Sequence, residues 1–317
     1  MNIGEASPRP ARRGVWHDRR VREDSDPVAV VTGANSGIGR AIAIHLAAHG
    51  HTVYGTVRSL DKATKLAAMA ADAGVEVHLV ELDVADDASV QSGLGEALDR
   101  AGRVDVLVNN AGIGGNGVVE EATTAAYAEV FNVNVTGAVR CLKAVLPGMR
   151  QRRRGTVVNI TSVTGRFAAL AQAPYVASKW AFEGLSEELA HELAPFGIRV
   201  AIIEPGITRS AIFAKNVDGT DEGSDYAPHL RRMFQFYAAG IAQATDPFEV
   251  AAVVLHAVTT PEPVLRYPVS WGGPEIIAGR AGLSDERWVA LGAAADDAGY
   301  YQGFLDAFGL DIAPRSE

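Results

Sequence analysis

The chain has 317 residues, of which 48% are hydrophobic and 21% charged, with a formal net charge of −9. That balance is globular and argues against a general nucleic-acid surface. A single cysteine, Cys141, excludes an intrachain disulfide, no Cys/His spacing suits a metal, and no apolar run approaches the ~18 residues of a membrane span.

Residues 1–27 carry Arg9, Arg12, Arg13, Arg19, Arg20 and Arg22 and lack the apolar core of a signal peptide. A disordered leader is expected there, and the lone cysteine fits a reducing, cytoplasmic setting. From Val28 onward, short β-branched runs alternate with longer helical patterns. Strands are expected at 28–31, 52–57, 76–80, 104–108, 156–160, 200–203 and 264–269. Helices are expected at 39–48, 88–101, 127–149 and 177–194. This alternation predicts an α/β fold: a doubly wound, seven-stranded parallel sheet of Rossmann type, covered on both faces. No linker divides it, so residues 28–270 read as one catalytic domain and 271–317 as its helical extension.

The first strand runs into Thr32-Gly33-Ala34-Asn35-Ser36-Gly37-Ile38-Gly39 and then a helix. Glycines there let backbone approach a pyrophosphate, and the helix N-terminus presents free N–H groups. The second strand ends in Val57-Arg58-Ser59 with no acidic residue. An acid at that position would hold the ribose hydroxyls of NAD, whereas an arginine suits the 2′-phosphate of NADP. Arg58 therefore points to NADP(H) over NAD(H). Asp83 follows the third strand, where the adenine would lie.

Tyr175 and Lys179 stand four residues apart, one turn apart on one helix face. A free phenol, with a pKa of ~10, is a poor base at neutral pH, and a neighbouring ammonium is expected to lower it. So tuned, a tyrosine can exchange a proton with a carbonyl or alcohol oxygen. The other motifs fall at carboxyl ends of strands: Asn109-Asn110-Ala111-Gly112, Asn159-Ile160-Thr161-Ser162 and Glu204-Pro205-Gly206-Ile207-Thr208. Open α/β sheets bind ligands there.

With these motifs in this order, the chain resembles the single-domain branch of the short-chain dehydrogenase/reductase family over roughly residues 28–269. The resemblance implies Tyr175 as catalytic acid/base, Ser162 as the donor to the reacting oxygen and Lys179 as ribose ligand and tuner of the tyrosine. Asn134 becomes the holder of a relay water, with the neighbouring Asn132 a decoy. Gly33, Ser36, Gly37, Ile38, Gly39, Arg58, Asp83, Asn110, Pro205, Gly206 and Thr208 become cofactor contacts, Thr208 meeting the nicotinamide carboxamide. The implied reaction is hydride transfer between nicotinamide and a carbonyl carbon, with no metal. A homodimer or homotetramer pairing through the helices of Asn134 and Tyr175 is implied by the same resemblance. An NAD-dependent alcohol oxidiser of this fold and a non-catalytic dinucleotide-binding regulator are the competing readings.

The stretch from about Arg209 to Thr245 should choose the substrate. Its acidic first part, 215–227, is expected to be mobile. Leu230, Met233, Phe234, Phe236, Tyr237 and Ile241 form an amphipathic pattern that could line an apolar pocket or pack on the body. Val57-Arg58 and Leu265-Arg266-Tyr267-Pro268 are similar to the 17β-hydroxysteroid and retinol branch. Trp271, Trp288, Tyr300, Tyr301, Phe304 and Phe308 stud the extension, and helical packing on the body is expected. Arg150 and Arg152-Arg153-Arg154 read as a solvated loop.

Overall fold

The computed structural model describes residues 26–210 and 223–314. Seven parallel strands form one sheet in the order β3-β2-β1-β4-β5-β6-β7. They are β1 (Val28–Val31), β2 (Thr52–Val57), β3 (Val77–Glu81), β4 (Val106–Asn109), β5 (Gly155–Ile160), β6 (Ile198–Pro205) and β7 (Arg266–Val269). The chain winds outward from β1 to β3 and then returns across β1 to β4. At that reversal, neighbouring connections leave in opposite directions and a crevice opens at the carboxyl ends.

The helices are α1 (Gly37–Ala48), α2 (Thr64–Asp72), α3 (Asp87–Ala101), α4 (Thr124–Phe131), α5 (Gly137–Arg152) and α6 (Ala173–Leu193), followed by α7 (Ala227–Ala242), α8 (Pro247–Thr259), α9 (Gly273–Gly282), α10 (Asp285–Gly292) and α11 (Asp297–Phe308). Side chains alternate across β1. Ala29 and Val31 pack with Ile42 and Leu46 of α1 and Val254 of α8. Val28 and Val30 pack with Leu94 of α3, Leu142 and Val145 of α5 and Leu189 of α6. Burial on both faces is why the strand reads as one apolar run rather than as alternation.

A third apolar cluster joins the loop after β5 to the C-terminal helices: Phe167, Met233, Phe236, Ile276, Phe304 and Phe308 meet there. Phe304 and Phe308 meet in a tilted contact at 4.6 Å, and Phe167 meets Phe308 edge-on at 5.5 Å. The aromatics of the extension thus pack on the body as expected.

Two local expectations change. The helix expected over 127–149 is broken by a wide π turn at Asn132–Thr136 between α4 and α5. Such a turn breaks the helical register by one residue and re-aims the side chains it carries. The basic loop is not simply solvated: Arg152 donates to Val104 O and Arg153 to Pro195 O, each at 2.6 Å. Most of the expected mobile segment at 215–227 and nearly all of the leader lie outside the described residues.

Candidate active site

The turn after β1 is built for a close approach of backbone. Gly33 and Gly37 have φ of 66° and 52°, which favours glycine. A Cβ on Gly39 would strike the Asn110 amide, so that glycine lets the turn sit against the end of β4. Asn110 in turn donates from Nδ2 to Thr32 O at 2.8 Å. Its backbone N–H and that of Ala111 reach Thr32 Oγ1 at 2.9 and 3.0 Å. Asn110, expected as a cofactor contact, is therefore first a brace for the turn. Ser36 precedes α1 but makes no side-chain cap, whereas Thr123 and Asp86 cap α4 and α3. The first N–H groups of α1 are left for another acceptor.

Gly33, Ser36, Gly37 and Ile38 line one cleft of about 880 Å³ together with Arg58, Asp83 and Asn110. Ser162, Tyr175, Lys179, Pro205, Gly206 and Thr208 line the same cleft. Arg58 is exposed at the end of β2 and makes no hydrogen bond or ion pair among the described residues. Lys62, four residues on, lines the same mouth. The sequence reading stopped at the strand end and missed it, although a second cation that close to Arg58 was visible. Asp83 stabilises its own loop, accepting from Ala85 N at 3.0 Å. Thr56 Oγ1 is buried without a partner on the cleft wall.

At the centre, Ser162 and Tyr175 face the same cleft, and the Ser162 hydroxyl donates to Pro205 O at 3.4 Å. Ser162 Oγ also accepts from Thr164 N at 3.2 Å, which fixes its rotamer. Lys179 Nζ donates to Ile160 O at 3.0 Å and lies 5.6 Å from the centre of the Tyr175 ring. The π turn aims Asn134 inward: its Oδ1 accepts from Ile113 N at 2.8 Å, and its Nδ2 donates to Ile113 O and Ser178 Oγ. Asn132 points the other way, to Ala85 O. Residue spacing alone could only favour one asparagine over the other; here they are separated by direction.

The expected depression of Tyr175 is not found. Burial pushes its phenol up to about 12, opposed only by the neighbouring Ser162 hydroxyl. Lys179 is itself buried and brought down to about 8, with Glu183 opposing the fall. The ammonium donates to the Ile160 carbonyl and lies over the Tyr175 ring, and desolvation dominates at both groups.

The cleft closes on the side of α7. Phe236 and Tyr237 line it, and the Tyr237 hydroxyl donates to Asn116 Oδ1 at 3.3 Å. Tyr237, read from sequence as apolar lining, brings a second phenol towards Tyr175, and burial raises its pKa strongly. Ile241 faces solvent. Thr208 is buried and pairs with Ser270 Oγ at 2.8 Å. A Cβ on Gly206 would strike the Trp271 carbonyl, which explains the glycine after Pro205. A second hollow of about 900 Å³, mainly apolar, is lined by Leu170, Val176, Trp180, Tyr226 and Trp288.

A family model described as short chain dehydrogenase matches residues 27–221. The chain belongs to that family. Among its relatives, the 17-beta-hydroxysteroid dehydrogenase type 1 of Mus musculus is 39% identical over 254 residues, 76% of this chain and 73% of that protein. A short-chain dehydrogenase structure from Streptomyces avermitilis superposes with a TM-score of 0.73 at 37% identity, covering 85% of this chain and 99% of that one. The actinorhodin polyketide ketoreductase with NADPH gives 0.65 at 32% identity, over 76% and 95% of the two chains. A family member from Burkholderia phymatum in complex with NAD gives 0.67 at 29% identity, over 76% and 89%. This short-chain dehydrogenase is thus an oxidoreductase with a dinucleotide-type crevice. No helix among its described residues is long and apolar enough to cross a membrane.

Proposed function

We propose that this chain interconverts a secondary alcohol and a ketone on a small apolar substrate, with NADP(H) as the preferred dinucleotide. The observation that carries this reading is the convergence of Ser162, Tyr175 and Lys179 on the same cleft as the glycine turn. The residues present fit a dinucleotide. The uncapped start of α1 offers N–H groups to a pyrophosphate, and Arg58 with Lys62 offers positive charge to a 2′-phosphate. When bound, the nicotinamide supplies or accepts the hydride at the carbonyl carbon.

Ser162 and Tyr175 hydrogen-bond the substrate oxygen and polarise it. Tyr175 gives its proton to that oxygen as negative charge grows there. A phenol held near 12 is protonated at neutral pH, which is the form reduction requires. Lys179 binds the nicotinamide ribose, and Asn134, its amide side chain held by Ile113 and Ser178, holds a relay water through its backbone carbonyl. Phe236 and Tyr237 shield the reacting atoms from water and give the cleft an apolar wall, which favours a substrate with a hydrocarbon body. The relatives that act on steroids and polyketides support that class. Pairing of two copies through α4, α5 and α6 completes the reading, with Trp180 on α6 half exposed.

The test is loss of nicotinamide absorbance with NADPH and NADH in parallel, over aliphatic, aromatic and steroid ketones. Turnover with NADPH is expected, falling by ~10²–10⁴ in Tyr175→Phe while dinucleotide binding persists. Turnover by NADH alone would overturn the cofactor assignment. Binding of both with no reduction and no alcohol oxidation would overturn the reaction.

A further inference from the structure

Behind the reacting groups lies a buried charged cluster that the proposed chemistry does not use. Glu183 sits one turn beyond Lys179 on α6, and its side chain is 6% exposed. One carboxylate oxygen accepts from Thr161 Oγ1 at 2.5 Å, and the other accepts from Arg266 Nε at 3.1 Å. Thr161 is the residue before Ser162. Consecutive residues at the end of β5 are therefore tied to consecutive turns of α6: Ile160 by Lys179, Thr161 by Glu183. A Cβ on Gly165 would come within 2.7 Å of the Glu183 side-chain methylene and 3.0 Å of the Lys179 carbonyl, so the loop after Ser162 is fitted closely to this part of α6.

The charged groups around Glu183 come from four elements. Lys179 and Glu187 lie on α6 itself. Arg266 reaches in from β7 and bonds Glu187 at 2.6 Å as well. Glu204 at the end of β6 stands 3.8 Å from Arg266 and 3.5 Å from Arg166, which lies after β5. Glu183 is the acid in this set that couples to Lys179.

We propose that Glu183 is a positioning residue for the reaction: it holds the Thr161–Ser162 step against α6 and stands one turn from Lys179 as its buried counter-charge. The assignment rests on the reading of Ser162, Tyr175 and Lys179 as the reacting set. A neutral residue here would leave a buried ammonium with only a backbone carbonyl, and the ammonium would lose its proton more readily. Arg266 restrains the effect by partly neutralising Glu183.

The chain has five lysines, at 62, 65, 143, 179 and 215, so its side chains can be resolved by NMR after ¹³C-lysine labelling. The Lys179 signal is assigned by its loss in Lys179→Met, and its titration is followed in the intact chain without substrate. The wild-type midpoint is expected near 8. Glu183→Gln should move it down by at least ~0.5 pH unit, and Glu183→Asp should restore most of that. Arg266→Gln should move it up, which keeps the test open if Glu183→Gln does not fold. Glu204→Gln should leave it in place. A wild-type midpoint at the ordinary ~10.4, no response to Glu183→Gln, or an equal response to Glu204→Gln would overturn the proposal. None of these readings needs turnover, so an inactive chain would sink the proposed reaction without touching this result.

Discussion

Removing the charge of Glu204 should stabilise the protein, and only above mildly acidic pH. The Glu204 side chain is 1% exposed, and burial together with Glu183 lifts its carboxyl from 4.5 to about 7, against the pull of Arg166 and Arg266. The folded state therefore holds a proton that the unfolded chain releases. Stability falls as pH rises from 4.5 through about 7, and the loss is complete above that. At ~1.4 kcal/mol for each tenfold in proton affinity, this lift amounts to roughly 3 kcal/mol. Glu204→Gln keeps the shape and has no charge to bury. Arg266 retains Glu183 and Glu187, and Arg166 is open to water, so neither cation is stranded. Urea unfolding of both forms should give equal stability near pH 4.5 and a gain of ~1–3 kcal/mol for the variant at pH 8. A loss at pH 8, or the same difference at both pH values, would refute a carboxyl strained by burial.

Arg58→Ala should raise the KM for NADPH by ~10–100-fold, the worth of a charge-assisted hydrogen bond, and change that for NADH little. Parallel weakening of both dinucleotides would remove Arg58 from phosphate recognition. Phe304→Ala should cost ~3–5 kcal/mol in urea unfolding because Phe304 is 1% exposed, whereas Val289→Ala, at a site 70% exposed, should stay within ~0.5 kcal/mol.

Much of the site was legible because backbone chemistry wrote it into residue type. Gly33, Gly37 and Gly39 are required by positive φ or close approach, and Gly206 by the Trp271 carbonyl. Strands were legible because β1, β2 and β5 are buried on both faces and read as apolar runs. What stayed hidden depends on direction and dielectric. The π turn decides where Asn134 points, and it has no strong composition of its own. A tyrosine four residues from a lysine suggests a lowered pKa on Coulomb grounds, but the sequence does not tell that both groups are buried and that the ammonium faces the ring. Glu183, Arg266 and Glu204 lie on three different elements, so their meeting is a property of the sheet order. Lys62 was the one readable omission.

The aromatic cluster over the carboxyl ends also orders events in time. Phe167, on the loop between Ser162 and Tyr175, is held by Phe304 and Phe308 of the last helix. A ribosome threads Phe304 out 304 − 167 = 137 residues after Phe167. The dinucleotide turn can form its local contacts early in synthesis, but the loop between Ser162 and Tyr175 has no roof until α11 emerges. A chain that lacks α11 therefore leaves Phe167 without its aromatic partners Phe304 and Phe308, whatever the state of the crevice.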